Sequence, residues 1–125
     1  MAGTNQGKIR LTFVITVPPE QVEEGERIWR SHIAWMERTH HREGEKALLS
    51  YDVSKAPELS DPMDPASAPT GNTNYVLAEV YESEAGVADH FEQTGNWEDF
   101  PALMAWLNNC KVAAAPAARI FNSLW

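Results

Sequence analysis

The stretch AEVYESEAGVADHFE, Ala78–Glu92, changes its periodicity half-way along. In its first half Glu79 and Tyr81 alternate with Ala78 and Val80, the two-residue period of a strand. Ser83 then supplies a side-chain oxygen of the kind that caps the free N–H groups of a first helical turn. Val87 and Phe91 follow on one side of the helix that Ser83 opens. The stretch therefore reads as a strand feeding into a helix, with a glutamate inside the strand and His90 near the end of the helix.

Upstream, the strand begins at Tyr75 and puts Tyr75, Leu77, Glu79 and Tyr81 on one face. Lys8–Val17, KIRLTFVITV, alternates in the same way and is ended by Pro18-Pro19, because proline cannot continue the ladder. A helix is predicted from about Pro19 to His41, with Val22, Ile28, Trp29, Ile33, Trp35 and Met36 on its apolar stripe. Glu20, Glu23 and Glu24 at its start and Arg38, His40, His41 and Arg42 at its end suit the helix dipole. A second strand is predicted over Ala47–Lys55. Residues 56–74, rich in Pro, Asp and Ser, lack periodicity and are expected to form a long loop placed to act as a lid. Downstream, Gly95 breaks the helix, and Phe100, Leu103, Met104 and Leu107 mark another helical segment. Asn96 or Asp99 can cap that segment, and Pro101 favours the later start. Ala118–Trp125 is expected to be the last strand. The order β-α-β-β-α-β, with the second helix in two pieces, predicts one α+β domain over 1–125 of the ferredoxin-like type.

Ten basic against 18 acidic residues give a net charge of −8. Such a surface repels phosphate backbones and anionic membranes, so neither nucleic acid nor a membrane is an expected partner. The N-terminal segment shows no apolar signal run, and the single Cys110 cannot form an internal disulfide. A cytoplasmic location is the expectation. Five Trp are many for 125 residues and point to a core, a pocket or an interface.

The segments NYVLAEVYESEAGVADHFE and NWEDFPALMAWL, taken together, resemble the antibiotic biosynthesis monooxygenase (ABM)-like family. The match lies in Glu79, Val80, Tyr81, Glu82 and Ser83, followed by His90. The order of elements matches over nearly the whole chain; the sharp motif covers about Tyr75 to Phe100. The resemblance implies a homodimer whose two sheets close into a dimeric α/β barrel, with a cleft between helices and sheet. It also implies a cofactor-independent monooxygenase acting on a small aromatic, quinol or polyketide-like substrate, with no metal. The chain departs from the family where a second histidine is usual, since TGNW stands there, and where the strand aromatic is Tyr81 rather than Trp. It also lacks the first-strand asparagine of the haem-degrading branch.

Within this frame His90 is the candidate base, because an imidazole titrates near neutrality. A carboxylate among aromatic side chains acquires a raised pKa, so Glu79 is the candidate for orienting or relaying the proton. Tyr81, Tyr51, Trp97, Tyr75 and Trp35 are candidates for holding an aromatic ring. Each has a plainer use: a packed histidine at a helix edge, a strand glutamate facing solvent, aromatics filling a core or an interface. His40 and His41 are adjacent and diverge on a helix, so they read as a solvated helix end; no spacing for a metal site is visible. Asp61 and Asp64 lack the glycine and the terminal glutamate of a calcium loop. The alternative to an oxygenase is a non-catalytic protein that binds a small aromatic or polycyclic ligand.

Overall fold

In the computed structural model, which describes residues 3–125, the first alternating run forms strand β1 (Ile9–Val17). Ile9, Leu11, Ile15 and Val17 are buried on one face, while Arg10 and Val14 are exposed on the other. A 3-10 turn over Pro19–Gln21 leads into helix α1 (Val22–Thr39). Strands β2 (Leu48–Leu59) and β3 (Pro69–Tyr81) follow, then helices α2 (Glu84–Thr94) and α3 (Phe100–Leu107), then strand β4 (Lys111–Arg119). The strands form one antiparallel sheet in the order β2-β3-β1-β4, compatible with a ferredoxin-like fold. No helix among the described residues is long and apolar enough to cross a membrane.

Ser83 caps α2 as its position predicts, accepting a hydrogen bond from the Ala85 backbone N–H at 3.2 Å. Its hydroxyl donates to the Glu45 carbonyl at 2.6 Å, which ties the start of α2 to the turn before β2. On α1 the buried stripe is Gly25, Ile28, Trp29, His32, Trp35 and Met36, spaced three and four apart. Ile33 lies off that stripe and is half exposed.

Two expectations are corrected. The segment 56–74 is not a long loop: β2 extends to Leu59 and β3 starts at Pro69, leaving only residues 60–68 as a hairpin tip. Strand β2 lies at the sheet edge, where a proline such as Pro57 is tolerated. In the tip, Asp61 and Asp64 accept backbone N–H bonds from Met63 and Ala66, so their carboxylates shape their own turns. The last strand precedes its expected position. Residues 111–119 pair with β1, with a register shift opposite Arg10–Thr12 that accommodates Pro116. The segment 120–125 instead runs beside the N-terminal segment, bonded through Gly3, Thr4 and Gly7. The apolar faces of β1 and β3 are covered within the chain. Their side chains, from Ile9 to Tyr81, form one core with Ile28, Trp29, Trp35, Val87, Trp97 and Trp106 of the same chain.

Candidate functional site

Glu79 lies near the C-terminal end of β3, paired with Leu11 on one side and Tyr51 on the other. The strand's period turns it toward the helices, where it is fully buried. Its Oε1 accepts the Tyr81 hydroxyl at 2.6 Å, and its Oε2 has no protein partner. Burial raises the carboxyl from an ordinary 4.5 to about 7, partly offset by the Tyr81 bond. At neutral pH Glu79 is therefore divided between its two protonation states.

His90, on the last turns of α2, is buried and lies with its Nδ1 2.8 Å from Nε2 of His40. His40 in turn places its Nδ1 2.9 Å from the Thr39 hydroxyl, which donates its one proton to the Trp35 carbonyl at 2.8 Å. That hydroxyl can only accept from His40, so His40 carries its proton on Nδ1. Burial holds both rings below the ordinary 6.5, with His90 at about 4, so both are neutral. It follows that His90 Nδ1 donates to His40 Nε2, and that His90 Nε2 keeps a free lone pair.

His32 sits on the buried stripe of α1 with its Nδ1 2.7 Å from the Tyr51 hydroxyl. Trp29, Trp35, Trp97 and Tyr51 surround its ring with centroids 5.1 to 5.6 Å away. Burial lowers it to about 3, so it too is neutral at pH 7. One ring nitrogen each from His32 and His90 and one carboxylate oxygen from Glu79 lie within 4.8 Å of one another.

An apolar cavity of about 410 Å³ opens beside this cluster, between β1 and the α2–α3 segment. His32 and His90 line it, together with Phe13, Trp29 and Trp97. Phe100, Leu103, Met104 and Leu107, the periodic residues of α3, close its far wall. Trp29 Nε1 is buried without a partner.

The two expected catalytic residues are thus brought together, with His90 on the cavity wall and Glu79 sealed behind it. Of the expected ring-holding residues, Trp97 alone lines this cavity. Tyr51 and Tyr75 instead line an open groove of about 440 Å³ between α1 and β2, because their strand positions point beneath α1. There the Tyr75 hydroxyl donates to Glu26 at 2.6 Å. Tyr81 is fully buried as the partner of Glu79, and Trp35 stacks on Trp97 at 5.6 Å as a second layer. No residue of 56–74 lines the cavity, so that hairpin is not its lid.

Two functional candidates escape a reading by spacing. His32 occupies an apolar stripe, and a histidine in such a stripe is the signal that marks it. His40 leaves the helix as its C-cap, with φ −91° and ψ 147°, so its ring does not diverge from the core as a helical residue's would. Comparison with known protein families, with curated proteins and with solved structures finds no match to this chain.

Proposed function

We propose that the chain binds a small, planar, largely apolar molecule carrying a hydroxyl and oxidises it with O2. The observation that carries this reading is His90, a neutral imidazole with a free nitrogen, on the wall of an apolar cavity of about 410 Å³. That volume falls within the range of small-molecule sites, about 300–1,000 Å³. The aromatic and aliphatic wall suits a ring, and the unpartnered Trp29 N–H suits an oxygen on it.

In this reading the substrate hydroxyl hydrogen-bonds to the free nitrogen of His90. Burial disfavours imidazolium at His32 and His90, so Glu79, titrating near 7, is the group able to hold the released proton at neutral pH. The phenolate is electron-rich at the para carbon and delivers electrons to O2. One oxygen atom becomes a carbonyl at that carbon, and the other leaves as water with the hydroxyl proton and the displaced ring hydrogen. A phenol and O2 thus yield a quinone and water, with no external reductant.

The chain's second proposed property is self-association. Phe121, Leu124 and Trp125 are exposed by 81% or more, and on the sheet face away from the helices Val14 is exposed while Val76 and Ala78 are partly so.

The test uses 1-naphthol and an oxygen electrode. Equal consumption of O2 and formation of quinone by the wild type, reduced at least 100-fold in Glu79→Gln and in His90→Ala, is the expected result. Turnover unchanged in both variants sinks the assignment. Binding of naphthol without O2 uptake by the wild type moves the protein to the non-catalytic binding alternative.

A further inference from the structure

His32 and His90 on the cavity wall and Glu79 behind it share a pattern that a proton relay does not require. Each has one donor atom engaged and one available. His32 Nδ1 meets the Tyr51 hydroxyl, His90 Nδ1 meets His40, and Glu79 Oε1 meets the Tyr81 hydroxyl. The remaining atoms are the Nε2 of each imidazole and Glu79 Oε2, which is buried without a partner. This is how metal ligands are held: an outer hydrogen bond fixes the ring or carboxylate and leaves the inner atom for the ion.

We infer that His32, His90 and Glu79 form a binding site for one divalent first-row transition ion. Three atoms no more than 4.8 Å apart all lie within about 2.8 Å of a common point, by the geometry of an equilateral triangle. Zinc–nitrogen and zinc–oxygen bonds measure about 2.0–2.2 Å, so binding needs each ligand to move inward by at most about 0.8 Å. Two neutral imidazoles and a carboxylate suit zinc, iron, cobalt, nickel or copper, and are a poor set for magnesium or calcium, which prefer oxygen. The carboxylate offsets the ion's charge in a setting where a lone charge is costly. The remaining coordination positions are free of protein ligands, and the cavity lined by His32 and His90 gives a route to them. A net charge of −8 attracts cations to the surface.

The site goes beyond the proposed oxidation and does not depend on it. With an ion bound, His90 Nε2 faces metal; without one, it faces the substrate hydroxyl. The experiment therefore reads the ion alone. The full chain is dialysed against a chelator, freed of it, and titrated with CoCl2 while the visible d–d absorption is followed. The expected result is one equivalent of Co2+ per chain, displaced by Zn2+, with the affinity falling at least 100-fold in His32→Ala, His90→Ala and Glu79→Gln. Glu79→Gln is nearly isosteric and guards against loss of fold in the histidine variants, which circular dichroism checks. His41→Ala removes an exposed histidine outside the cluster and should leave the affinity within twofold. No saturable uptake by the wild type, or uptake undiminished in Glu79→Gln, overturns the proposal. Binding of 1-naphthol to the chelator-treated chain, read by tryptophan quenching, is measured in parallel. Naphthol binding without cobalt uptake leaves the cavity reading standing, and cobalt uptake without naphthol binding does the reverse.

Discussion

Replacing Glu79 by Gln should change how stability depends on pH, and the structure fixes the sign. In the folded chain Glu79 titrates at about 7, against an ordinary 4.5. Between those values the folded state holds more protons at this site than the unfolded state, so Glu79 adds stability as the pH falls and withdraws it as the pH rises toward 7. His32 and His90 act the other way. They titrate at about 3 and about 4, against 6.5, so below 6.5 the unfolded chain holds more protons and stability falls as the pH falls. From pH 7 to pH 5 the two histidines together cost about 4 kcal/mol and Glu79 returns about 2. A net loss of about 2 kcal/mol results for the wild type and about 4 for Glu79→Gln. A glutamine also leaves a buried polar atom without a partner, at about 1–3 kcal/mol, but that cost is the same at both pH values and drops out of the comparison. So do the contributions of His40 and the surface carboxylates.

Trp29, Trp35, Trp97 and Trp106 are all buried, so urea unfolding is read from tryptophan emission, with chelator present to keep the cluster metal-free. The expected observation is a drop in unfolding free energy from pH 7 to pH 5 that is about twice as large in the variant. Parallel dependence in the two proteins would refute the reasoning. Glu79 would then titrate as an ordinary carboxylate, and its oxygen would not be sealed behind the cavity.

Two further outcomes can be measured on the same material. A Cβ at Gly25 would overlap the Trp106 indole, whose N–H donates to the Gln21 carbonyl at 2.8 Å, so Gly25→Ala should lose about 1–3 kcal/mol in the same urea assay despite the better helix propensity of alanine. Native mass spectrometry should give twice the 14.0 kDa chain mass, and removal of residues 121–125 should shift the population toward single chains; a wild-type monomer at micromolar concentration excludes the dimer.

The elements that were legible in the sequence are those in which one local rule acts alone. Alternation placed β1 and the inner part of β3, Ser83 placed the start of α2, and Pro101 placed the start of α3 at Phe100. The errors fall where tertiary position overrides local composition. Pro57 and Pro69 look like loop residues, yet they sit in strands of a hairpin that projects beyond β1, which ends opposite Thr73. Lys111–Arg119 shows no alternation because alanine occupies both of its faces and an edge strand needs no apolar side. At the site, Glu79 and His90 were singled out by the strand-to-helix motif that carries the family resemblance. His32 and His40 were not, since they lie 47 and 39 residues before Glu79 and reach it only through the packing of α1 on the sheet.

That packing also bears on whether the cluster is merely a satisfied core. A core built for stability alone pairs its buried polar atoms, because each orphan costs about 1–3 kcal/mol. Among the described residues two buried side-chain atoms lack a partner, Trp29 Nε1 and Glu79 Oε2. They come from different elements, and the His32 ring links them: it packs edge-on to Trp29 at 5.4 Å and offers a nitrogen within 4.8 Å of the Glu79 carboxylate. The neighbouring polar atoms, by contrast, each have a partner: the Tyr81 hydroxyl bonds Glu79, His40 Nε2 bonds His90, and the Trp97 indole bonds Ser31. Chance would scatter orphans across the core. Here an unfilled acceptor and an unfilled donor both sit beside one imidazole and one cavity, which is the arrangement expected where a polar atom from outside the chain completes the set.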